Sequence, residues 1–167
     1  MTLGWLLCLT AFFSAQTIPH NEAETLSGKK IVLPDTAAGH PAILVVGFSR
    51  AGGDSSGKWD KQLRKDFAGD TNLRFYNIAV LAGAPKLVRG MIRHGMRGSI
   101  PKDEHDSFVL LYEDEAAWQK LAGFSDANDA YVLLVDSSAN IRWRGHGKAA
   151  DALAEAALKA EIAKIER

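Results

Sequence analysis

The sequence predicts an α/β fold, a mixed sheet flanked by helices on both faces. Three observations carry that reading. The runs AILVVGF (42–48) and AYVLLVD (130–136) are continuously apolar, the pattern of strands covered on both faces. Strand-like runs alternate with segments whose apolar residues recur every three to four positions, which implies crossover helices between parallel strands. The last two strand-like runs are separated only by SSAN (137–140), so they pair back as an antiparallel hairpin at a sheet edge.

The elements follow in order. LGWLLCLTAFF (3–13) is too short to span a bilayer as a helix and matches the apolar region of a secretory signal, with Ala15 at the exit. Residues 1–15 are therefore read as a signal peptide, and an exported location, periplasmic or extracellular, is expected. QTIPHNEAETLSG (16–28) is polar and reads as a loose lead-in to one domain over 29–167. KKIVLP (29–34) is a short strand stopped by Pro34, and DTAAGHP (35–41) is turn chemistry. After the strand 42–48, SGKWDKQLRKDFA (56–68) puts Trp59, Leu63 and Phe67 on one helical face, with Ser55 or Ser56 as N-cap.

NLRFYNIAVL (72–81) is a strand rich in aromatic and branched residues. APKLVRGMIRHGM (84–96) is a helix with Pro85 near its first turn, and Leu87, Met91 and Ile92 are expected to face inward. FVLLY (108–112) is a strand, and EDEAAWQKLAG (113–123) is a helix closed by Gly123. After the strand 130–136, IRWRG (141–145) is the returning hairpin strand and 148–167 an alanine-rich helix.

Composition excludes several classes. The 167 residues suit one domain, and 47% hydrophobic content is ordinary for a globular core. Formal net charge is zero, so no strong global field draws nucleic acid or an anionic membrane. The one cysteine, Cys8, rules out an intramolecular disulfide framework and a cysteine-based zinc cluster. Leu6 and Leu7 before it do not make a lipobox, so no lipid anchor is expected. No cofactor is expected either.

The unit AILVVGFSRAGGDSSGKWDKQLRKDFA (42–68), a strand, a glycine-rich loop and a helix, resembles the opening of a thioredoxin-like domain. In that fold the loop and first helical turn carry the redox cysteine or cysteine pair. Here the positions hold Arg50, Gly52, Gly53, Asp54, Ser55 and Ser56. The tail YVLLVDSSANIRWRGHGKAADAL is similar to peroxiredoxin-like and thioredoxin-like domains. Asp129 and Ala130 stand where that fold places a cis-proline. Thiol–disulfide exchange needs a thiolate nucleophile, so no thiol-dependent activity is expected.

LVRGMIRHGMRGSIP (87–101), FVLLYEDEAAWQKLAG and the YVLLVD…IRWRGHGKA tail together resemble the family of the mitochondrial ATP synthase Fo-sector assembly factor ten, over about residues 29–160. That resemblance implies a thioredoxin-like fold and assembly work on a membrane complex. The leader, with no Lys or Arg before Lys29, does not resemble an Arg-rich transit peptide.

Four clusters are candidate sites. In SRAGGDSSG (49–57), backbone amides at a helix start and the Arg50 guanidinium could hold an anion; the plainer reading is a loop with Asp54, Ser55 and Ser56 serving solvent and cap. Arg89, Arg93 and Arg97 recur every four residues, so one helix face is basic and suits an acidic partner or simply water. KDEHD (102–106) offers metal-ligand types, but contiguous residues cannot all face one ion, and no metal site is expected. His146, between Gly145 and Gly147, sits before the last helix, where the dipole would favour its neutral form.

The leading expectation is a non-catalytic binding module of the cell envelope with a protein partner. The alternative is an assembly factor for a membrane complex such as ATP synthase. An enzyme of non-thiol chemistry on the same fold lacks a convergent acid–base set.

Overall fold

The computed structural model describes residues 16–165. The leader 1–15 lies outside them. Seven strands form one sheet: β1 (Asn21–Thr25), β2 (Lys30–Leu33), β3 (Ala42–Gly47), β4 (Arg74–Val80), β5 (Phe108–Leu111), β6 (Ala130–Val135) and β7 (Ile141–Gly147). The helices are α1 (Arg50–Asp66), α2 (Lys86–Ser99), α3 (Glu115–Ala122) and α4 (Ala152–Ile165).

The spatial order is β2-β1-β5-β4-β3-β6-β7. β3, β4 and β5 are parallel, joined by helical crossovers, while β6, β7, β1 and β2 pair antiparallel with their neighbours. The apolar runs behave as their composition requires: every residue of β3 and β6 is buried. Trp59 and Leu63 of α1, with Leu158 and Ile162 of α4, pack on Ile43, Val45, Val132 and Leu134 on one face. Trp118 and Leu121 of α3 pack on Leu44, Val46, Ile78 and Leu133 on the other. Each fully buried large side chain contributes roughly 1.5–3 kcal/mol.

The structure corrects the sequence reading at four places. The lead-in 16–28 is not loose, because its NEAET segment is β1, inserted between β2 and β5. The two fully buried residues of β1, Asn21 and Thr25, are polar, and Asn21 is satisfied across the fold: Trp118 Nε1 donates to Asn21 Oδ1 at 2.9 Å, and Asn21 Nδ2 donates to Asp114. The first helix begins at Arg50, not at residue 56, so the glycine-rich stretch is helical. The last helix begins at Ala152, where Asp151 accepts from the Ala154 amide at 2.7 Å.

The fourth correction concerns α2, which has no buried residue. Leu87 is 97% exposed and Met91 75%, against the expectation that they face inward. The arginine face meets the domain instead. Arg89 lies 4.3 Å over the Tyr112 ring and donates to Ala84 O at 3.1 Å. Arg93 pairs with Glu24, and Arg97 Nε donates to Leu26 O at 2.6 Å. The cause is β1, which offers a carboxylate and a strand-end carbonyl where an apolar floor was assumed.

Candidate functional site

The site lies where β3 ends and α1 begins, at the carboxyl edge of the parallel strands. β6 runs antiparallel to β3, with Ala130 opposite Gly47, so the residues before β6 lie beside the start of α1. Ser49 caps the helix: its Oγ accepts from the Gly52 amide at 2.9 Å. The same hydroxyl donates to Ala127 O at 2.5 Å. Neither Ser55 nor Ser56 is the cap. Both are buried in the helix, Ser55 Oγ donating to Asn128 O at 2.7 Å and Ser56 Oγ to Gly52 O at 2.9 Å.

The contact is tight. A Cβ on Gly52 would stand 2.9 Å from Ala127 O and 3.0 Å from Asp129 O, and one on Gly47 would meet Ser56 Oγ at 2.9 Å. Glycine is required at Gly52 by close approach.

The loop before β6 is held from its other side too. Tyr131 Oη accepts from the Ser125 and Asp126 amides and donates to Asp126 O, at 2.8, 2.9 and 2.9 Å. Its ring packs against Phe48 and Phe124 and is stacked on His146. The Asn128 amide and side chain donate to Asp126 and hold its carboxyl below the ordinary aspartate value.

His146 sits in β7, not at the start of α4, so the dipole argument from that last helix falls away. Its Nδ1 donates to Asp129 Oδ2 at 2.9 Å. Asp129 thus ties β7 to the loop through its side chain, while its carbonyl lies against Gly52. Among the described residues, no serine hydroxyl is hydrogen-bonded to His146, and those of Ser49 and Ser55 are directed to loop carbonyls. A serine nucleophile activated by this histidine is not assembled.

The predicted residues therefore divide. Ser55 and His146 converge on the loop 125–129, while Ser56 bonds within α1 to Gly52 O; Arg50 and Asp54 are exposed on the first turns of α1. Arg89, Arg93 and Arg97 form a separate set at β1 and Tyr112. Of the KDEHD residues, Lys102, Asp103, His105 and Asp106 line one recess, but their polar atoms turn to protein partners: His105 Nε2 meets Ile100 O at 3.0 Å, and Asp106 meets Lys29 at 2.5 Å. Ser49, Ala127 and Tyr131 were missed. Ser49 stands three residues before Gly52, a spacing that fits a cap, but the glycine pair reads as loop in isolation.

A central strand, a helix start at its carboxyl end and a returning strand whose leading loop packs on that helix define a thioredoxin-like domain. The described residues contain no cysteine. The chain belongs to the ATP10 protein family, whose pattern matches residues 13–160. Solved structures share the fold. BsSco, a member of the Sco family of cytochrome c oxidase assembly proteins, has 10% identity over 89% of this chain and 93% of its own, with a TM-score of 0.59. A thiol-disulfide oxidoreductase from Bacteroides fragilis has 14% identity over 88% and 99%, with a TM-score of 0.56. A thiol peroxidase from Chromobacterium violaceum has 11% identity over 92% and 87%, with a TM-score of 0.54. Among curated proteins, no sequence matches the chain significantly.

Proposed function

We propose that this protein is a non-catalytic assembly factor for a membrane complex, the ATP synthase. The observation that carries the reading is membership of the ATP10 family over nearly the whole described domain. The site's chemistry supports it. Serine hydroxyls and backbone carbonyls occupy the place where thioredoxin-like oxidoreductases carry sulfur, and a hydrogen-bonded loop lies over it. Such a scaffold presents surfaces and needs no turnover.

The apolar run 3–13 supports delivery to a membrane or across it. Amino-terminal sequencing of the mature chain, with fractionation, tests export.

The decisive experiment is affinity capture of the tagged full chain from detergent-solubilised membranes of its own organism, with native-gel analysis of ATP synthase after gene deletion. Recovery of membrane-sector subunits and loss of assembled complex are expected. Intact complex in the deletion strain, with no subunit captured, would overturn the proposal. Insulin reduction or peroxide consumption by the purified protein would overturn its non-catalytic half.

A further inference from the structure

Among the described residues β2 is the last strand on its side of the sheet, so one of its edges has no neighbouring strand. Hydrogen bonding alternates along an antiparallel pair, and the Thr25 amide donates to Lys29 O at 2.8 Å, which fixes the phase. Ile31 and Leu33 therefore bond β1, while the backbone groups of Lys30 and Val32 point to the open side. Val32 O accepts from Thr36 Oγ1 at 2.9 Å. Among the described residues, the Lys30 amide and carbonyl and the Val32 amide have no partner on that side. The opposite edge, β7, is engaged at its start: Thr17 bridges Asn140, and the Ile141 amide donates to Gln16 O at 3.0 Å.

The open edge borders a recess of about 730 Å³ whose charge is uneven. At one end Glu24 lies opposite Lys30 and is paired with Arg93. At the other end Glu22 lies opposite Val32, and Asp35 follows the strand. Glu22, Asp35 and Glu113 all line the recess, are exposed, and pair with no cation among the described residues. Arg89, which also lines it, is turned to the Tyr112 ring and Ala84 O. The surplus at the Val32 end is negative.

We propose that the β2 edge receives an extended, basic polypeptide segment as an added strand. The backbone of the segment bonds Lys30 and Val32. A lysine or arginine opposite Val32 lays its methylene stem along that side chain and reaches Glu22 with its charge, and a second, beyond the strand end, meets Asp35. The position opposite Lys30 is neutral or acidic, since like charges directly opposite repel. Main-chain pairing requires a polypeptide, and the unpaired carboxylates select its charge. This inference stands on the sheet edge and its charge and is independent of the assembly reading.

The probe is the blocked hexapeptide KVKVSV, with its reversed sequence for the other strand direction, titrated into the purified full chain. Saturable amide shifts in NMR spectra are expected at Lys30 and Val32 and not along β7. Methylating the peptide amides that face the edge, or grouping its lysines as KKVVSV, should weaken binding about tenfold or more. Glu22→Gln with Glu113→Gln should weaken it about fivefold or more and flatten its salt dependence. Both positions are exposed, so the fold should be retained. Shifts confined to other surfaces, equal affinity for the methylated or regrouped peptide, or indifference to the glutamine variants overturns the proposal. So does displacement by equimolar spermine, which would mark a site for charge alone. A dimer whose β2 amides are protected before peptide is added would assign the edge to a second copy and overturn it too. Because the assay uses purified protein and peptide, its failure leaves the assembly reading untouched.

Discussion

A Cβ placed on Gly52 would stand 2.9 Å from the carbonyl oxygen of Ala127, so a helix start and the loop before the antiparallel central strand touch backbone to backbone. Gly52→Ala should therefore destabilise the domain by about 1–3 kcal/mol, since neither backbone yields without strain. Gly53, one residue on, faces open space. Gly53→Ala should be neutral or stabilising by up to about 1 kcal/mol. Urea unfolding of both variants checks the pair; equal stabilities would mean the close contact is absent in solution.

Ser49 has two tasks, capping α1 and tethering Ala127. Ser49→Ala should cost about 1–2 kcal/mol, the upper part of the range for an N-cap. Amide exchange at residues 125–129 should accelerate with it. A loss confined to α1 would show that the tether contributes nothing.

Asp60 is buried on α1, and its Oδ2 accepts from Arg64 Nε at 2.7 Å while Oδ1 has no partner. Arg64→Met would leave that carboxylate uncompensated and should cost about 3 kcal/mol or more. Adding Asp60→Leu should restore much of the loss, because the charge then disappears with its partner. Thermal melts of the single and double variants measure the coupling.

Arg93 is paired with Glu24, and no residue of α2 is buried. Glu24→Ala should change global stability by less than about 1 kcal/mol, as for other partly exposed pairs. Local opening of α2 should nonetheless increase. Hydrogen exchange across 86–99 is the readout, and unchanged protection there would show that other contacts hold the helix.

Burial raises the carboxyl of Glu104 above its ordinary value, and the nearby charge of Asp60 adds to the rise. In the window between the unfolded and folded values the native state binds more protons, so stability falls as pH rises through it. Glu104→Gln should be more stable than the parent at neutral pH. The advantage should vanish as pH falls below the ordinary glutamate value. Paired urea titrations across that range test the sign, and a gain that grows on acidification would contradict it.

Much of the topology was readable because burial on both faces leaves a direct mark. AILVVGF and AYVLLV have no charged position to assign to solvent, which marks them as the covered strands β3 and β6. NEAET leaves no such mark, since β1 buries Asn21 and Thr25 at its two ends, and the partners that satisfy Asn21, Trp118 and Asp114, are remote in sequence. The site was readable as a location, the strand–glycine–helix junction, but not as an arrangement. Ser49, Ala127 and Asp129 are brought together by the β3–β6 pairing, and nothing in residues 49–57 announces a carbonyl arriving from residue 127.

The residue order was enough to settle the alternating elements, the two covered strands and the absence of sulfur from the helix start, because each depends on side-chain type and short-range period. It also defined α2 as an amphipathic helix. It could not say which face of that helix would meet the domain. That choice fell to β1, which sets Glu24 and the Leu26 carbonyl against the arginines and turns Leu87 and Met91 outward. Periodicity reveals that a helix has two unlike faces; orientation depends on which one finds the better partner across the fold.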